Sequence, residues 1–406
     1  MKKRYFSFLF ALLFMPAAAM AEIGVTDEVI TVGSVLALKG KAQGLGKGMK
    51  AGMEAAFAGV KIKGRSIRLL TRNDSYEPKK TSEQTKAMIK DGIFVMIGNV
   101  GTPTAIVSLP ILKDANIPAV GFFTGAGILR PGKGGPILNY RASYIQETAA
   151  VIGASLKNGL KPSQICAFVQ NDGYGMAGLV GVKMALTDGK AGSEILQSLD
   201  RIIAMKGKNP KRNNVGPVGV YTRNTISVNP GFKSLKAWEQ KTGHQCKLVV
   251  TVGAYGTISH FARKANKQGE KWIISAVSFT GADNLRGDLE KYKATDRIIM
   301  TQVVPLLDSN LDIVKEAKGK LGSKFGFVEL EGYIVGKMFV EIMNEMNGDI
   351  TRANFMKTAR ASRLKLGGKV LDFTQSNQGS NEVITSYLAS NGFVETTQEV
   401  WNTFIQ

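Results

Sequence analysis

The residues best placed to do chemistry are two hydroxyl–glycine pairs, Gly101-Thr102 and Thr124-Gly125. Thr102 is followed by Pro103. That order predicts a helix from Thr102 to about Lys113 with Thr102 as N-cap, because proline in a first helical turn lacks an N–H that would have no partner there. Free N–H groups at a helix N-terminus, set beside hydroxyls, suit an anion such as a carboxylate. Both pairs lie in Phe94–Pro131, which reads as a strand (Phe94–Ile97), the helix, and a second strand (Ile117–Phe123). The loops Asn99–Thr102 and Thr124–Gly127 then fall at the carboxyl ends of two strands of a βαβ unit. Such units build parallel sheets, and open α/β sheets bind ligands at that edge.

The same pattern recurs along the chain. Polar, aromatic or glycine loops follow predicted strands at Gln43–Gly46, Asp172–Tyr174, Ala254-Tyr255 and Ser278–Thr280. Plain surface turns would account for the glycines and asparagines. They account less well for Phe122-Phe123, Tyr174, Tyr255 and Phe279, because exposed aromatic rings carry an apolar hydration cost. A shared cleft, apolar with a few placed polar groups, fits them better.

Catalytic alternatives fail on spacing. Gly127-x4-Gly132-Lys133 has glycine at position 134 where a phosphate-binding loop needs Ser or Thr, and no strand directly precedes it. Gly44-Leu45-Gly46 lacks the third glycine of a dinucleotide fingerprint. No G-x-S-x-G elbow occurs. The two histidines, His244 and His260, stand outside any metal-ligand spacing, so neither metal nor cofactor is expected and the chain reads as a non-enzyme.

The elements that must position these loops alternate. Strands are expected at Ile30–Leu36, Ile67–Arg72, Ile165–Gln170, Glu194–Leu199, Leu248–Val252, Trp272–Val277 and Ile298–Val304. Helices intervene at Lys47–Phe57, Pro78–Lys90, Tyr144–Lys157, Phe232–Lys241 and Ile258–Lys267, and Lys206–Gly219 reads as an irregular insertion. Further helices follow at Leu311–Lys320, Leu330–Met346 and Arg352–Ala361, then a β-like tail at Val383–Leu388. The fold class is α/β, in two series of similar build.

Composition narrows the setting. Lys2, Lys3 and Arg4 precede an apolar run, Tyr5–Met15, and Ala19-Met20-Ala21 forms a small-x-small site. Residues 1–21 therefore read as a secretory signal peptide cleaved after Ala21, the run being shorter than the ~20 residues of a spanning helix. The 406 residues carry a formal net charge of +21, three of those charges in the signal. The remaining basic residues are scattered, and the densest cluster, Lys206–Arg212, reads as a solvated loop, so no nucleic-acid partner is expected. Export permits a disulfide between Cys166 and Cys246, the only cysteines, but two buried thiols remain an equal alternative because sequence cannot establish the geometry.

Several segments together resemble the type I periplasmic solute-binding proteins of ABC importers, the Leu/Ile/Val-binding-like family. They are KGKAQGLGKGMKAGMEAAF, RNDSYEPKKTSEQTKAMIKDGIFVMIGNVGTPT, VGFFTGAGILR, FVQNDGYGMAGLVGVKMAL, VELEGYIVGK and FTQSNQGS, and the resemblance extends over nearly all of the mature chain. The resemblance implies two Rossmann-like lobes, 22–140 with 305–371 and 141–304 with 372–406, joined by three crossovers near Tyr140–Arg141, Val303–Pro305 and Leu371–Phe373. It implies a monomer that traps a small ligand between the lobes and delivers it to an inner-membrane permease and ATPase complex. A ligand sensor for a membrane receptor or kinase is the alternative. By resemblance, Gly101 and Thr102 hold the ligand carboxylate with Phe123, Thr124 and Gly125. Tyr174 and Tyr255 close over the ligand from the other lobe, and Leu45 stands where an aromatic lid is common; Ser278 and Phe279 are further ligand-binding candidates in the Ser278–Thr280 loop. Ser278 departs from the pattern, since amino-acid binders of this family carry an acid there. A branched-chain-like amino acid is the default ligand, and a non-amino carboxylic acid or amide is the alternative. Asp283 or Glu331 could substitute for the missing acid.

Overall fold

A computed structural model describes residues 22–207 and 209–406; the expected signal peptide, 1–21, lies outside the described residues. The first sheet is built from β1 (Val29–Leu36), β2 (Lys61–Ile62), β3 (Arg65–Asn73), β4 (Met96–Ile97), β5 (Ala119–Val120) and β6 (Ile137–Leu138), with helices α1 (Gln43–Phe57), α2 (Pro78–Lys90) and α3 (Thr102–Asp114) between them. Its order is β2-β3-β1-β4-β5-β6, parallel throughout except for β2 against β3.

The second series runs α4 (Tyr144–Lys157), β7 (Ile165–Gln170), α5 (Gly173–Asp188), α6 (Ser193–Ala204), β8 (Val218–Tyr221), α7 (Asn229–Thr242), β9 (Leu248–Val252), α8 (Tyr255–Lys267), β10 (Ile273–Ala276), α9 (Ala282–Tyr292) and β11 (Ile298–Gln302). The chain then returns to the first half through α10 (Asp312–Leu321), α11 (Phe327–Glu345), α12 (Arg352–Ala361) and the hairpin β12 (Arg363–Leu366) and β13 (Lys369–Asp372), with α11 packed along α1. It finishes on the second sheet with β14 (Ile384–Ala389), β15 (Gly392–Glu395) and α13 (Gln398–Ile405). The second sheet has the order β15-β14-β11-β10-β9-β7-β8, in which β14 and β15 are antiparallel additions.

Both parallel cores share one winding. β3-β1-β4-β5-β6 and β8-β7-β9-β10-β11 each place their first strand between the second and third. The sense of winding therefore reverses at β1/β4 and at β7/β9, the position where open doubly wound sheets hold ligands. Segments 139–143, 303–311 and 373–383 pass between the two halves. The passages are tied together: Tyr140 donates its hydroxyl to the Val303 carbonyl at 2.8 Å, and Asn139 pairs with Gln378.

Two expectations need correction. Glu194–Leu199 belongs to helix α6, not to a strand. Its buried Ile195, Leu199 and Ile202 recur at helical spacing, which a six-residue window could not separate from strand alternation. The stretch read as an irregular insertion, Lys206–Gly219, runs into a fully buried strand, β8. The loop before it is anchored by Arg212, which donates to the carbonyls of Ile202 and Met205 and to Asn171.

Cys166 on β7 and Cys246 just before β9 are bridged, with Cα atoms 5.7 Å apart. Pairing of β7 with β9 brings them together, and this settles the choice that the sequence left open.

Candidate functional site

The carboxyl edges of the two sheets face each other and are closed together. Gly101, rather than Thr102, is the N-cap of α3, with φ 103°, a backbone conformation that favours glycine. A Cβ at Gly101 would fall 2.2 Å from the Tyr76 ring. Thr102 thus starts the helix, and its hydroxyl is free to turn away from the cap and pair with that of Thr124 at 2.7 Å. No side chain caps α3, so its first-turn N–H groups stay open. Gly125 is pressed against Tyr144, where a Cβ would meet the ring at 2.7 Å.

Aromatic rings fill the space beside these hydroxyls. Phe279 is the hub, with ring centroids 4.5 Å from Tyr174, 5.3 Å from Phe123 and 6.1 Å from Tyr76. Tyr144 lies 5.2 Å from Tyr174. All five rings are buried, although two come from the first sheet and three from the second half. Such tilted pairs add stabilisation beyond the area they bury. Tyr76 is held by Asp74, a buried carboxylate that accepts from the Tyr76 N–H and the Thr81 hydroxyl, both at 2.8 Å. Burial raises the Asp74 pKa and lifts the phenols of Tyr76 and Tyr174 well above their ordinary value, so both remain neutral; Tyr76 accepts from Gln170 and Tyr174 donates to the Gly253 carbonyl.

A charged cluster borders this aromatic box. Arg141, on the first passage between the halves, is fully buried, with its guanidinium carbon 4.6 Å over the Phe123 ring, a favourable cation–π placement. Its Nη2 donates to the Ser278 hydroxyl, and its Nε lies 3.3 Å from Glu331 on α11. Glu147 on α4 accepts from the Ser278 N–H at 2.7 Å and the Thr301 hydroxyl at 2.6 Å. Burial opposes the charge on Arg141, but Glu331 and Glu147 more than offset it and raise its pKa. Burial pushes Glu331 up to about 7, against the pull of Arg141. Among the described residues, Arg141 Nε and Nη1, Glu147 Oε1 and Thr280 Oγ1 have no hydrogen-bond partner.

Around the rim, side chains of one half reach the other. Arg223 bridges Asp172 at 3.1 Å and Glu77 at 3.0 Å, and Asn224 donates to Glu77 at 2.6 Å. The Tyr255 hydroxyl accepts from the Gly44 N–H at 3.3 Å. Asp283 accepts from the Phe327 N–H at 2.8 Å, capping α11 from across the cleft.

The profile of the family described as periplasmic binding protein matches residues 29–198. A solved structure described as a possible leucine/isoleucine/valine-binding protein from Rhodopirellula baltica SH 1 superposes with a TM-score of 0.81 at 31% identity, over 92% of this chain and 97% of that one. The chain belongs to the periplasmic binding protein family. Members of this family are periplasmic and bind small-molecule solutes rather than transform them. A curated relative, the Leu/Ile/Val-binding protein homolog 6 of Brucella abortus (strain 2308), is 25% identical over 221 residues; the match covers 52% of this chain and 55% of that protein's length. The solute-binding protein of an R. palustris ABC transporter, solved in complex with benzoate, shares the fold at 18% identity, with a TM-score of 0.72 over 90% of this chain and 95% of that one.

In this periplasmic binding protein, the expected residues Gly101, Thr102, Phe123, Thr124, Gly125, Tyr174, Ser278 and Phe279 converge at the facing sheet edges. Tyr255 does not join the aromatic box. It is half-buried at the rim, bound to α1. Leu45 is buried and packs against Gly281 of the other half. Asp283 does not stand in for an acid at Ser278, because it caps α11. Sequence reasoning missed Tyr76, Arg141, Tyr144 and Glu147. One signal was available: Ser143-x-x-Gln146 is a capping box that starts α4 and sets Tyr144 and Glu147 one turn apart on its buried face.

Proposed function

We propose that this chain is the substrate-binding component of an ABC importer and holds a small carboxylate-bearing ligand in the cleft between two moving bodies, 22–140 with 305–371 and 141–304 with 372–406. The observation that carries this reading is the Thr102–Thr124 hydroxyl pair, 2.7 Å apart and buried at the uncapped N-terminus of α3. Two hydroxyl donors and open helix N–H groups are suited to a carboxylate. The rings of Phe123, Tyr174 and Phe279 supply the apolar walls and Gly101 and Gly125 the close backbone. Rim contacts from Arg223, Tyr255 and Asp283 would form as the bodies close and break as they open.

The test is native mass spectrometry of the mature chain exported by its own host and purified without denaturation. The expected result is a small acidic adduct, retained by the wild type and lost in Thr102→Val with the fold unchanged by circular dichroism. An adduct retained equally by Thr102→Val would remove the hydroxyl pair from the site. Uptake of the identified acid by cells lacking this chain tests the importer role; undiminished uptake would leave the sensor alternative.

A further inference from the structure

Arg141 is an unusual group to bury beside an aromatic box. Its guanidinium lies over Phe123, one ring away from Phe279, and is fixed at Ser278 on one side and Glu331 on the other. Among the described residues, Nη1 has no hydrogen-bond partner. Buried donors left open in this way cost free energy unless another group accepts from them. Ser278 is already engaged at both ends: its hydroxyl accepts from Arg141, and its N–H donates to Glu147.

We infer that Arg141 is the specificity-determining residue of the cleft, presenting a fixed cation at the Ser278 corner, so that the ligand is an acid carrying a hydrogen-bond acceptor next to its carboxylate, as in a 2-oxo acid, and not an ammonium group. The inference rests on the carboxylate reading above. Thr124 follows Phe123, whose ring lies under the Arg141 guanidinium, so a carboxylate held on Thr102 and Thr124 would set its adjacent substituent toward Arg141. An oxo oxygen there accepts from Nη1. An ammonium there meets a guanidinium in a water-poor site, where like charges repel strongly. Glu147 and Glu331 are the acids that face Arg141. Glu331 lies 3.3 Å from Nε as an ion pair, and Glu147 keeps one oxygen, Oε1, that could compete for an ammonium.

The test compares matched pairs by calorimetry on the mature chain: leucine with 4-methyl-2-oxopentanoate, and phenylalanine with phenylpyruvate. The expected result is at least tenfold tighter binding of the oxo acid in one pair. Arg141→Met combined with Glu331→Gln, which avoids an unpaired buried carboxylate, should bring that ratio toward one. The ratio is insensitive to general loosening of the hinge, and Arg141→Lys provides a second variant if the double variant fails to fold. Equal or tighter binding of the amino acid, lost in Glu147→Gln, would overturn the inference and leave the carboxylate cleft standing. Binding of neither member of either pair would overturn the carboxylate reading and the inference with it.

Discussion

The two halves wind their parallel strands in the same order yet meet the cleft with different chemistry. Besides the rings of Tyr76 and Phe123, the first half offers small groups: the hydroxyls of Thr102 and Thr124, glycines 101 and 125, and an uncapped helix end. The second offers bulk and charge: Tyr174, Phe279, Tyr144, Glu147 and the Ser278 corner that receives Arg141. The halves also differ in how they are held. The second carries the Cys166–Cys246 bridge between β7 and β9. In the first, the long helix α11 is buried along most of its length against α1. One winding can thus serve as the polar jaw or the apolar jaw, because function resides in the edge loops rather than in the sheet.

This contrast can be broken at several points. The largest effect is expected from Cys166→Ser with Cys246→Ser. A bridge across 80 residues constrains the unfolded chain, and its removal should cost about 2–5 kcal/mol. In urea melts the second half should then unfold before the first; a single coincident transition shifted by less would show the halves to be cooperative. Next, Thr102→Val should weaken ligand binding by about 1.5–3 kcal/mol, the scale of a hydrogen bond to a charged group. Tyr174→Phe should change it little, because the Tyr174 hydroxyl makes only a 3.4 Å contact to the Gly253 carbonyl. Comparable losses in both variants would erase the division between polar and apolar jaws.

Smaller effects are expected at the rim. Arg223→Ala removes the Glu77 pair that joins the halves, along with the Asp172 pair within the second half. Partly exposed pairs are worth up to about 1 kcal/mol, so affinity should fall a few-fold, and the loss should shrink at high salt. The last effect is a slope of stability with pH. Burial raises Glu329 and Glu331 on α11 from 4.5 to about 7, with Asp283 adding to the rise at Glu329 and Arg141 opposing it at Glu331. Folding therefore takes up protons between those values. The contribution is fully present below about 4.5 and is lost as pH rises through about 7. Glu329→Gln should flatten the stability profile over that window; an unchanged slope would assign it elsewhere.

Much of the scaffold was legible along the chain. Alternating apolar runs and glycine-bounded loops located β1, β7, β9, β10 and β11 and the loops that carry Thr102, Thr124, Tyr174 and Phe279, because each depends on neighbours a few residues away. Short elements escaped this reading. α6 has the periodicity of a helix only when Ile202 is counted with Ile195 and Leu199, and β8 is four buried residues with no alternation.

The sequence by itself determined the α/β alternation, the hydroxyl–glycine pairs and the order in which loops reach the strand ends. These follow from local spacing and backbone preference. Tertiary structure alone decided which side chains meet. It bridged Cys166 to Cys246, drew Thr102 away from its cap to Thr124, moved Tyr255 to the rim, and placed Arg141 among Phe123, Ser278 and Glu331. The physical reason is desolvation. A buried guanidinium is tolerable only where carboxylates and a ring surround it, and those partners come from the first sheet's loops, the second sheet's loops and α11, which only the packed fold assembles.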